Sequence, residues 1–574
     1  MSNIFELEKS IKEMIDELKG LCAANGLSNQ AGEETVITTV FLYKFLNDKF
    51  MFNLNQFAES RDWTLERIRA NENDELDMMY DKYSGDVAFA YEDTIEYLIN
   101  SSSHDNFYAI FDDALMRISN YERNKDFSIE TDEGTKKPLF TKLSDVLTDT
   151  SRKNAFTKAV FGIISQEKFD FGRAFSNNFD FYSTIFEYLI KDYNVASGKY
   201  AEYFTPQTIS NIIAKILVHM GKTEEDKLYE ICDPSAGSGS LVLHLANELG
   251  HGAFGNSARV YTQDISNKST RFLRINMMLN GLKESLNNII EGDTMLNPAH
   301  FQIPNNQNSG LKKFDFITSN PPFKVDFSNT RNEIEQKWEG TGRFFAGVPN
   351  IPPQDKDKMP IYLLFIQHIL YSLKDDGRAA IVVPTGFITA SKKSSKIAYA
   401  LREYMIKNKI LKGVISMPSK IFANTGTNVS VIFIDKSKTY DEYGNEIENS
   451  ILLMDASNLG EKIKDNNTQR TILSEEETVK IINTFINNKE IEDFSVLVTN
   501  ETIAEKDYSF AAGQYFDVKI DYVEVSQEDY DKMIEDFNID FAKYVEETRM
   551  FQDSIKQQLV GLTVQRGDDV NEKK

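Results

Sequence analysis

"ICDPSAGSGSLVLHLA", residues 231–246, opens on a short apolar run, ends it at Asp233, turns through Gly237 and Gly239 and resumes as a helical pattern. A strand, a glycine-bearing turn and a helix in that order are the opening unit of an α/β sheet. Glycines in such a turn let a ligand approach the backbone closely, and the amides at the helix start offer donors. The stretch lacks the third glycine of a dinucleotide fingerprint, and its Asp-Pro opening is atypical for one.

Further along, "RVYTQD" ends a second expected strand at Asp264, about where an acid can accept from ribose hydroxyls. "IIEGDTM" places a third acid, Asp293, after another short apolar run. Then comes "FDFITSNPPF", residues 314–323, in which an apolar run stops at Asn320, Pro321 and Pro322. Proline has no backbone donor and biases the residue before it toward extended conformations, so Asn320 is expected at a strand end, its side chain and carbonyl fixed in direction. Three acids at successive strand ends, followed by this asparagine, point to one site.

The alternation continues on both sides. "RAAIVVP", "LKGVISMP" and "VSVIFID" read as strands, and "TPQTISNIIAKILVHM" and "MPIYLLFIQHILYSL" as helices, which together predict a doubly wound α/β sheet. Residues 1–170 instead carry helical periodicity, as in "IFELEKSIKEMIDELKGL" and "ETVITTVFLYKFLNDKFMF". The connection 324–359 is long and polar, with Gly and Pro, and a connection of that length is usually functional or disordered. Near the end, Ile534, Phe537, Phe541, Tyr544, Thr548, Phe551 and Ile555 recur at alternating spacings of 3 and 4. That stripe predicts a helix packed against other helices, of a partner or of the chain itself.

Composition sets bounds. The chain has 574 residues, 41% hydrophobic and 26% charged, with a formal net charge of -24. Phosphate binding rests on Lys and Arg, so so acidic a chain is not expected to grip nucleic acid alone. No apolar run approaches the roughly 18 residues of a membrane span, and the acidic N-terminus does not resemble a signal peptide. Cys22 and Cys232 suggest no disulfide framework, the six histidines show no metal-ligand spacing, and a cytoplasmic protein without a metal site is expected.

"DPSAGSGSL", the acids of "TQD" and "EGD", and "SNPPF" resemble the motifs of S-adenosylmethionine-dependent DNA amino-methyltransferases. With "AEYFTPQ" ahead of the glycine-bearing turn, the order resembles the N6-adenine branch. More closely the layout resembles the modification subunit of type I restriction-modification systems, on the further segments "FDFYSTIFEYLIKDY", "GRFFAGVP", "LKGVISMPSKIFANTGTNVSVIFI" and "DYSFAAGQYFDV". Two departures stand out: Asp264 where Glu is commoner, and Pro360 where an acidic or small residue is commoner.

The resemblance implies a Rossmann-like methyltransferase sheet with an N-terminal helical domain (1–170), a catalytic domain (171–480) and a C-terminal region with a partner-binding helix (481–574). It implies catalysis by Asn320, Pro321, Pro322 and Phe323. S-adenosyl-L-methionine would be held by Thr205, Asp233, Pro234, Ser235, Gly237, Ser238, Gly239, Asp264 and Asp293: Asp233 and the glycines at the methionine end with Thr205 near its carboxylate, Asp264 at the ribose, Asp293 at the adenine amine. Adenine N6 is a poor nucleophile because its lone pair is delocalised. Acceptors on both N6 hydrogens, Asn320 Oδ1 and the Pro321 carbonyl, would draw the nitrogen toward tetrahedral geometry, and Phe323 would stack on the flipped base. The implied partners are DNA, a separate specificity subunit and a second copy of the chain, with a restriction subunit left open; the target sequence would lie in the specificity subunit. Cytosine N4, RNA and protein glutamine are the alternative acceptors for the same amine chemistry.

Overall fold

In the computed structural model, nine of the short apolar runs pair into one mixed sheet. Numbered along the chain, its strands are β1 (Tyr229–Asp233), β2 (Ala258–Asp264), β3 (Ile289–Glu291), β4 (Phe314–Ser319), β5 (Leu373–Pro384), β6 (Leu411–Ser416), β7 (Val429–Asp435), β8 (Ile451–Asp455) and β9 (Ser495–Val498). Their order across the sheet is β3-β2-β1-β4-β5-β7-β6-β8-β9. Strands β1 to β5 pair in parallel, β7 is antiparallel to both β5 and β6, and β9 is antiparallel to β8. The structure describes residues 2–27, 31–71, 73–83, 86–127, 129–130, 136–172, 175, 205–224, 227–250, 258–304, 306–422, 427–438, 450–465, 468–516 and 526–562. The segment 179–193 and residues Tyr203 and Phe204 of "AEYFTPQ", quoted above, lie outside them.

Successive residues of a strand face opposite sides, and here both sides are covered. Ile231, Phe316, Ala380 and Val382 join a core shared with the N-terminal helices and the helices Gln207–His219 and Ser240–Gly250. Cys232, Ile317, Ala379, Ile381 and Val383 join a second core with the helices Tyr362–Ser372 and Lys396–Lys407. That is why "RAAIVVP" reads as continuously apolar rather than alternating.

The N-terminal part is helical, with Ser2–Ala24, Ala31–Arg61, Phe107–Asn120 and Thr150–Ile164 as its longest elements. Tyr43 fills its centre, edge-on to Phe111, with its hydroxyl donating to the Asp93 carbonyl at 2.8 Å. Arg274, buried on the helix Asn267–Leu279, donates to the Phe127 carbonyl at 3.1 Å and so ties this part to the sheet's flank.

Two features differ from expectation. The sheet continues past β7 through β8 and β9, whose five- and four-residue runs are too short for periodicity to separate them from helix. The connection 324–359 is no structureless loop: it contains the helix Arg331–Trp338 and has its own core of Phe327, Ile334, Val348 and Met359 packed on Met295, Leu364 and Phe365.

The chain divides into two compact units, Met1–Phe516 and Asp517–Lys574. The second contains one long helix, Gln527–Leu562, along which Ile534, Phe537, Phe541, Tyr544, Phe551 and Ile555 are exposed. Among the described residues no helix is long and apolar enough to cross a membrane. Both cysteines are buried and free.

Candidate functional site

Because β1 to β5 run parallel, their carboxyl ends share one edge of the sheet, where open α/β sheets bind ligands. At the end of β1, Asp233 Oδ1 accepts from the Ser235 amide at 2.9 Å and from Ser235 Oγ at 3.3 Å, which sets the turn. Gly237 and Gly239 both have positive φ, +52° and +88°. At Gly239 a Cβ would also lie 2.2 Å from Leu273 Cδ1, so here glycine lets the helix Asn267–Leu279 pack against the turn. Ser238 offers its carbonyl to Asn276 Nδ2 at 2.9 Å on the same helix.

At the end of β2, Asp264 takes the Gly237 amide on Oδ2 and the Ser266 amide on Oδ1, each at 2.8 Å. It thereby stitches the β1 turn to the β2 turn. Past β3, Asp293 Oδ1 accepts from the amides of Met295 (2.8 Å) and Leu296 (3.1 Å), and Thr294 Oγ1 donates to the Pro234 carbonyl at 2.7 Å. The three acids therefore stand on turns bonded to one another. Burial pushes the Asp233 carboxyl up to about 8, with Asp264 raising it further and the Ser235 amide opposing. Asp264 is raised by burial as well, against the amides of Ser266 and Gly237. Neither has a cationic partner among the described residues.

At the end of β4, Ser319 Oγ lies 2.6 Å from Ser235 Oγ, which joins the glycine-bearing turn to the Asn-Pro-Pro segment. Asn320 Nδ2 donates to Thr205 Oγ1 at 3.1 Å. One donor of the amide is thus committed, while Oδ1 accepts no hydrogen bond among the described residues. Thr205, which the resemblance places near a cofactor carboxylate, is buried and accepts the Asn320 hydrogen bond in the structure. Pro321 is buried, while Pro322 and Phe323 are half-buried. Phe323 meets Tyr362 edge-on, ring centroids 6.2 Å apart, and Tyr362 meets Phe387 in the same way at 6.1 Å.

The description "N-6 DNA Methylase" is that of the family model that matches residues 177–522, more than half of the chain. The chain belongs to the N-6 DNA methylase family. It is 29% identical over 348 residues to the type I restriction enzyme MpnII methylase subunit of Mycoplasma pneumoniae, a match covering 59% of this chain and 57% of that relative. It is 24% identical over 532 residues to the MjaVIII methylase subunit of Methanocaldococcus jannaschii, covering 91% and 82%. The chain thus spans little more than half the length of the Mycoplasma relative. Among solved structures, the type I restriction-modification methyltransferase subunit from Streptococcus thermophilus aligns with a TM-score of 0.61 at 21% identity, over 90% of this chain and 100% of that one. At that identity the likeness is one of fold.

Within this family member the structure also brings to the edge residues the sequence reading assigned no role. Arg343, from the connection after Asn320, is fully buried between Trp338 and Phe344. Its guanidinium donates to the carbonyls of Thr294 (2.7 Å) and Met295 (2.9 Å), and its Nε to His368 Nδ1 (3.1 Å). Burial pushes Arg343 down to about 9, opposed by Asp293; burial first, then the Arg343 charge, pushes His368 well below its ordinary value, so the ring is a neutral acceptor. Next to it, Gln367 takes the Ala346 amide at 2.8 Å and gives to the Gly347 carbonyl at 3.0 Å. The helix Tyr362–Ser372 thus latches the connection, and Arg343 latches the connection to the Asp293 turn. The signal was present in "GRFFAGVP" and "FIQH", but nothing in the sequence joins the two.

Proposed function

We propose that the chain is a DNA adenine-N6 methyltransferase subunit that uses S-adenosyl-L-methionine and works with a separate specificity subunit. The observation that carries the reading is Asn320 at the tip of β4, its Nδ2 held by Thr205 so that Oδ1 and the Pro321 carbonyl are the acceptors. Family membership and the type I methylase subunits among the relatives support it.

The residues fit the cofactor. Asp233 and Asp264 are acids raised by burial and without a cationic partner among the described residues, and a cationic ligand would relieve them. Asp233, Pro234, Ser235, Gly237, Ser238 and Gly239 would hold its methionine end, Asp264 its ribose, and the second oxygen of Asp293 its adenine amine. When bound, S-adenosyl-L-methionine supplies an electrophilic methyl group on a sulfonium. Asn320 Oδ1 would accept a hydrogen bond from one N6–H of a flipped adenine and the Pro321 carbonyl from the other, which would orient the nitrogen lone pair for attack on an electrophilic methyl. Because Asn320 and Pro321 are held before the base arrives, no reorganisation is needed at the moment of reaction. Phe323, propped by Tyr362, gives the base a face to stack on and offsets part of the unstacking cost.

A net charge of -24 fits a chain that delegates most of its DNA grip. The exposed stripe on Gln527–Leu562 fits a helical partner, which we assign to the specificity subunit, with two copies of this chain around it. Labelled methyl transfer to unmethylated DNA, with and without that subunit, tests the reading. N6-methyladenine that appears with the partner and vanishes in Asn320→Ala is expected; N4-methylcytosine would move the substrate, and an unlabelled DNA would overturn the function. Truncation before residue 527 is expected to abolish the complex while cofactor binding persists.

A further inference from the structure

The chain is acidic, yet from Gly377 to Arg402 it has no acid at all, and that stretch holds Lys392, Lys393 and Lys396. All three are exposed. Elsewhere surface lysines commonly meet a carboxylate, as Lys168 does Glu17, Lys227 does Glu224 and Lys407 does Glu403. Among the described residues Lys392, Lys393 and Lys396 have none, and neither does exposed Lys324, directly after Phe323. Lys392 Nζ lies over the Tyr399 ring, 5.6 Å from its centroid.

Their place in the fold is specific. β5 lies parallel to β4 with Ile381 opposite Ser319, so β5 runs on to Pro384 and delivers the segment after it to the edge that carries Asn320. The ring series Phe323, Tyr362, Phe387 links that segment to the base-stacking face. The segment is also held firmly. Buried Arg402 donates to the carbonyls of Phe387, Ala390 and Tyr508. Ser391 Oγ accepts from the Ser394 amide at 3.2 Å, Ser394 Oγ donates to the Ser391 carbonyl at 3.0 Å, and Ser395 Oγ accepts from the Ala398 amide at 3.2 Å. Unpaired cations on a braced loop fit a ligand of regularly repeated negative charge.

Resting on the methyltransferase reading above, we infer that the Ser391–Lys396 loop is this chain's own contact with the DNA backbone, taking phosphates beside the flipped nucleotide while the partner reads the sequence. Lys324, directly after Phe323 in the chain and exposed, serves the same strand. The loop positions DNA and carries no sequence information, as phosphate contacts do.

The test is Lys392→Glu, Lys393→Glu, Lys396→Glu in the full complex with the specificity subunit, measured by fluorescence-anisotropy DNA binding over a salt series and by methyl transfer. Each lost phosphate contact removes about 0.9 from the slope of log affinity against log salt, so the slope is expected to fall by about 2 to 3 and the KM for DNA to rise about tenfold or more. Affinity for S-adenosyl-L-methionine and kcat at saturating DNA are expected to stay. An unchanged slope and KM would overturn the inference while leaving the methyltransferase reading intact. If the wild-type complex methylates no DNA, that reading fails, and the binding series still judges the loop. Should the reversed charges lower thermal stability, the triple Lys→Gln variant is judged by the same slope.

Discussion

Two stretches of the same sheet edge are built on opposite plans. The ends of β1, β2 and β3 bring together Asp233, Asp264 and Asp293 on turns hydrogen-bonded to each other. The ends of β4 and β5 present an amide, two prolines, aromatic rings and lysines without ion pairs among the described residues. One side gathers negative charge and amide donors, and suits a cationic ligand with hydroxyls and an amine. The other gathers acceptors, ring faces and positive charge, and suits an amine-bearing base on a polyanion. The two meet at Ser235 and Ser319, 2.6 Å apart, so adjacent strands of one sheet present opposite ligand chemistries side by side.

The contrast breaks most sharply at Asn320. Replacing it with Ala removes one preorganised acceptor while leaving the acid turns untouched, so methyl transfer is expected to fall at least about 10²-fold. Calorimetry should find cofactor affinity within about threefold of the wild type; a parallel loss of cofactor binding would mean that the two sides are not separable. Thr205→Val asks the same question more gently. The Asn320 amide would lose its anchor, and kcat is expected to drop by about fivefold, since one neutral hydrogen bond is worth about 1 kcal/mol. If kcat holds and only the cofactor KM rises, Thr205 belongs to the cofactor side instead.

Arg343 is where the two sides are coupled, because it leaves the connection after Asn320 and ends on the Asp293 turn. Arg343→Met keeps the length and apolar body but strips the carbonyls of Thr294 and Met295 and the His368 ring of their donors. Leaving such groups unsatisfied costs about 1–3 kcal/mol each in a buried site. The melting temperature is expected to fall by several degrees and cofactor affinity about tenfold, with Arg343→Lys recovering part of both. Equal loss in the Met and Lys variants would make the latch a matter of packing between Trp338 and Phe344 alone.

The acid side was the more legible in sequence, and the reason is local. Asp233 and Asp264 each end a short apolar run with a turn and a helix written within a few residues, and Asp293 follows a third such run. Asn320 could be read in the same way, since Pro321 and Pro322 mark it. Arg343 could not: its acceptors, Thr294, Met295 and His368, are far away in the chain, and two of them are backbone carbonyls with no residue-type signature. The connection 324–359 misled because its polar residues are many, while its core side chains, Phe327, Ile334, Val348 and Met359, are too sparse to make a period. Strands β8 and β9 were hidden by brevity. Gly239 was legible as a glycine needed in a turn, but the side chain it makes room for, Leu273, emerges only when the helices pack.

The smallest effect separates the sides by pH. In the folded chain without ligand, Asp233 is pushed up to about 8 from 3.8, chiefly by burial. Between those values the folded chain holds a proton that the unfolded chain has released, so Asp233 makes stability fall as pH rises across that window and contributes no further slope above it. Asp264 is raised in the same direction and adds to the slope. Asp233→Asn keeps an oxygen for the Ser235 amide but cannot titrate, so its melting temperature should vary less between about pH 5 and 8 than that of the wild type. Asn320→Ala, on the other side of the Ser235–Ser319 contact, should leave the wild-type slope in place. Parallel curves for the wild type and Asp233→Asn would show that the carboxyl stays ionised in its turn, and that the acid side needs no cation to settle it.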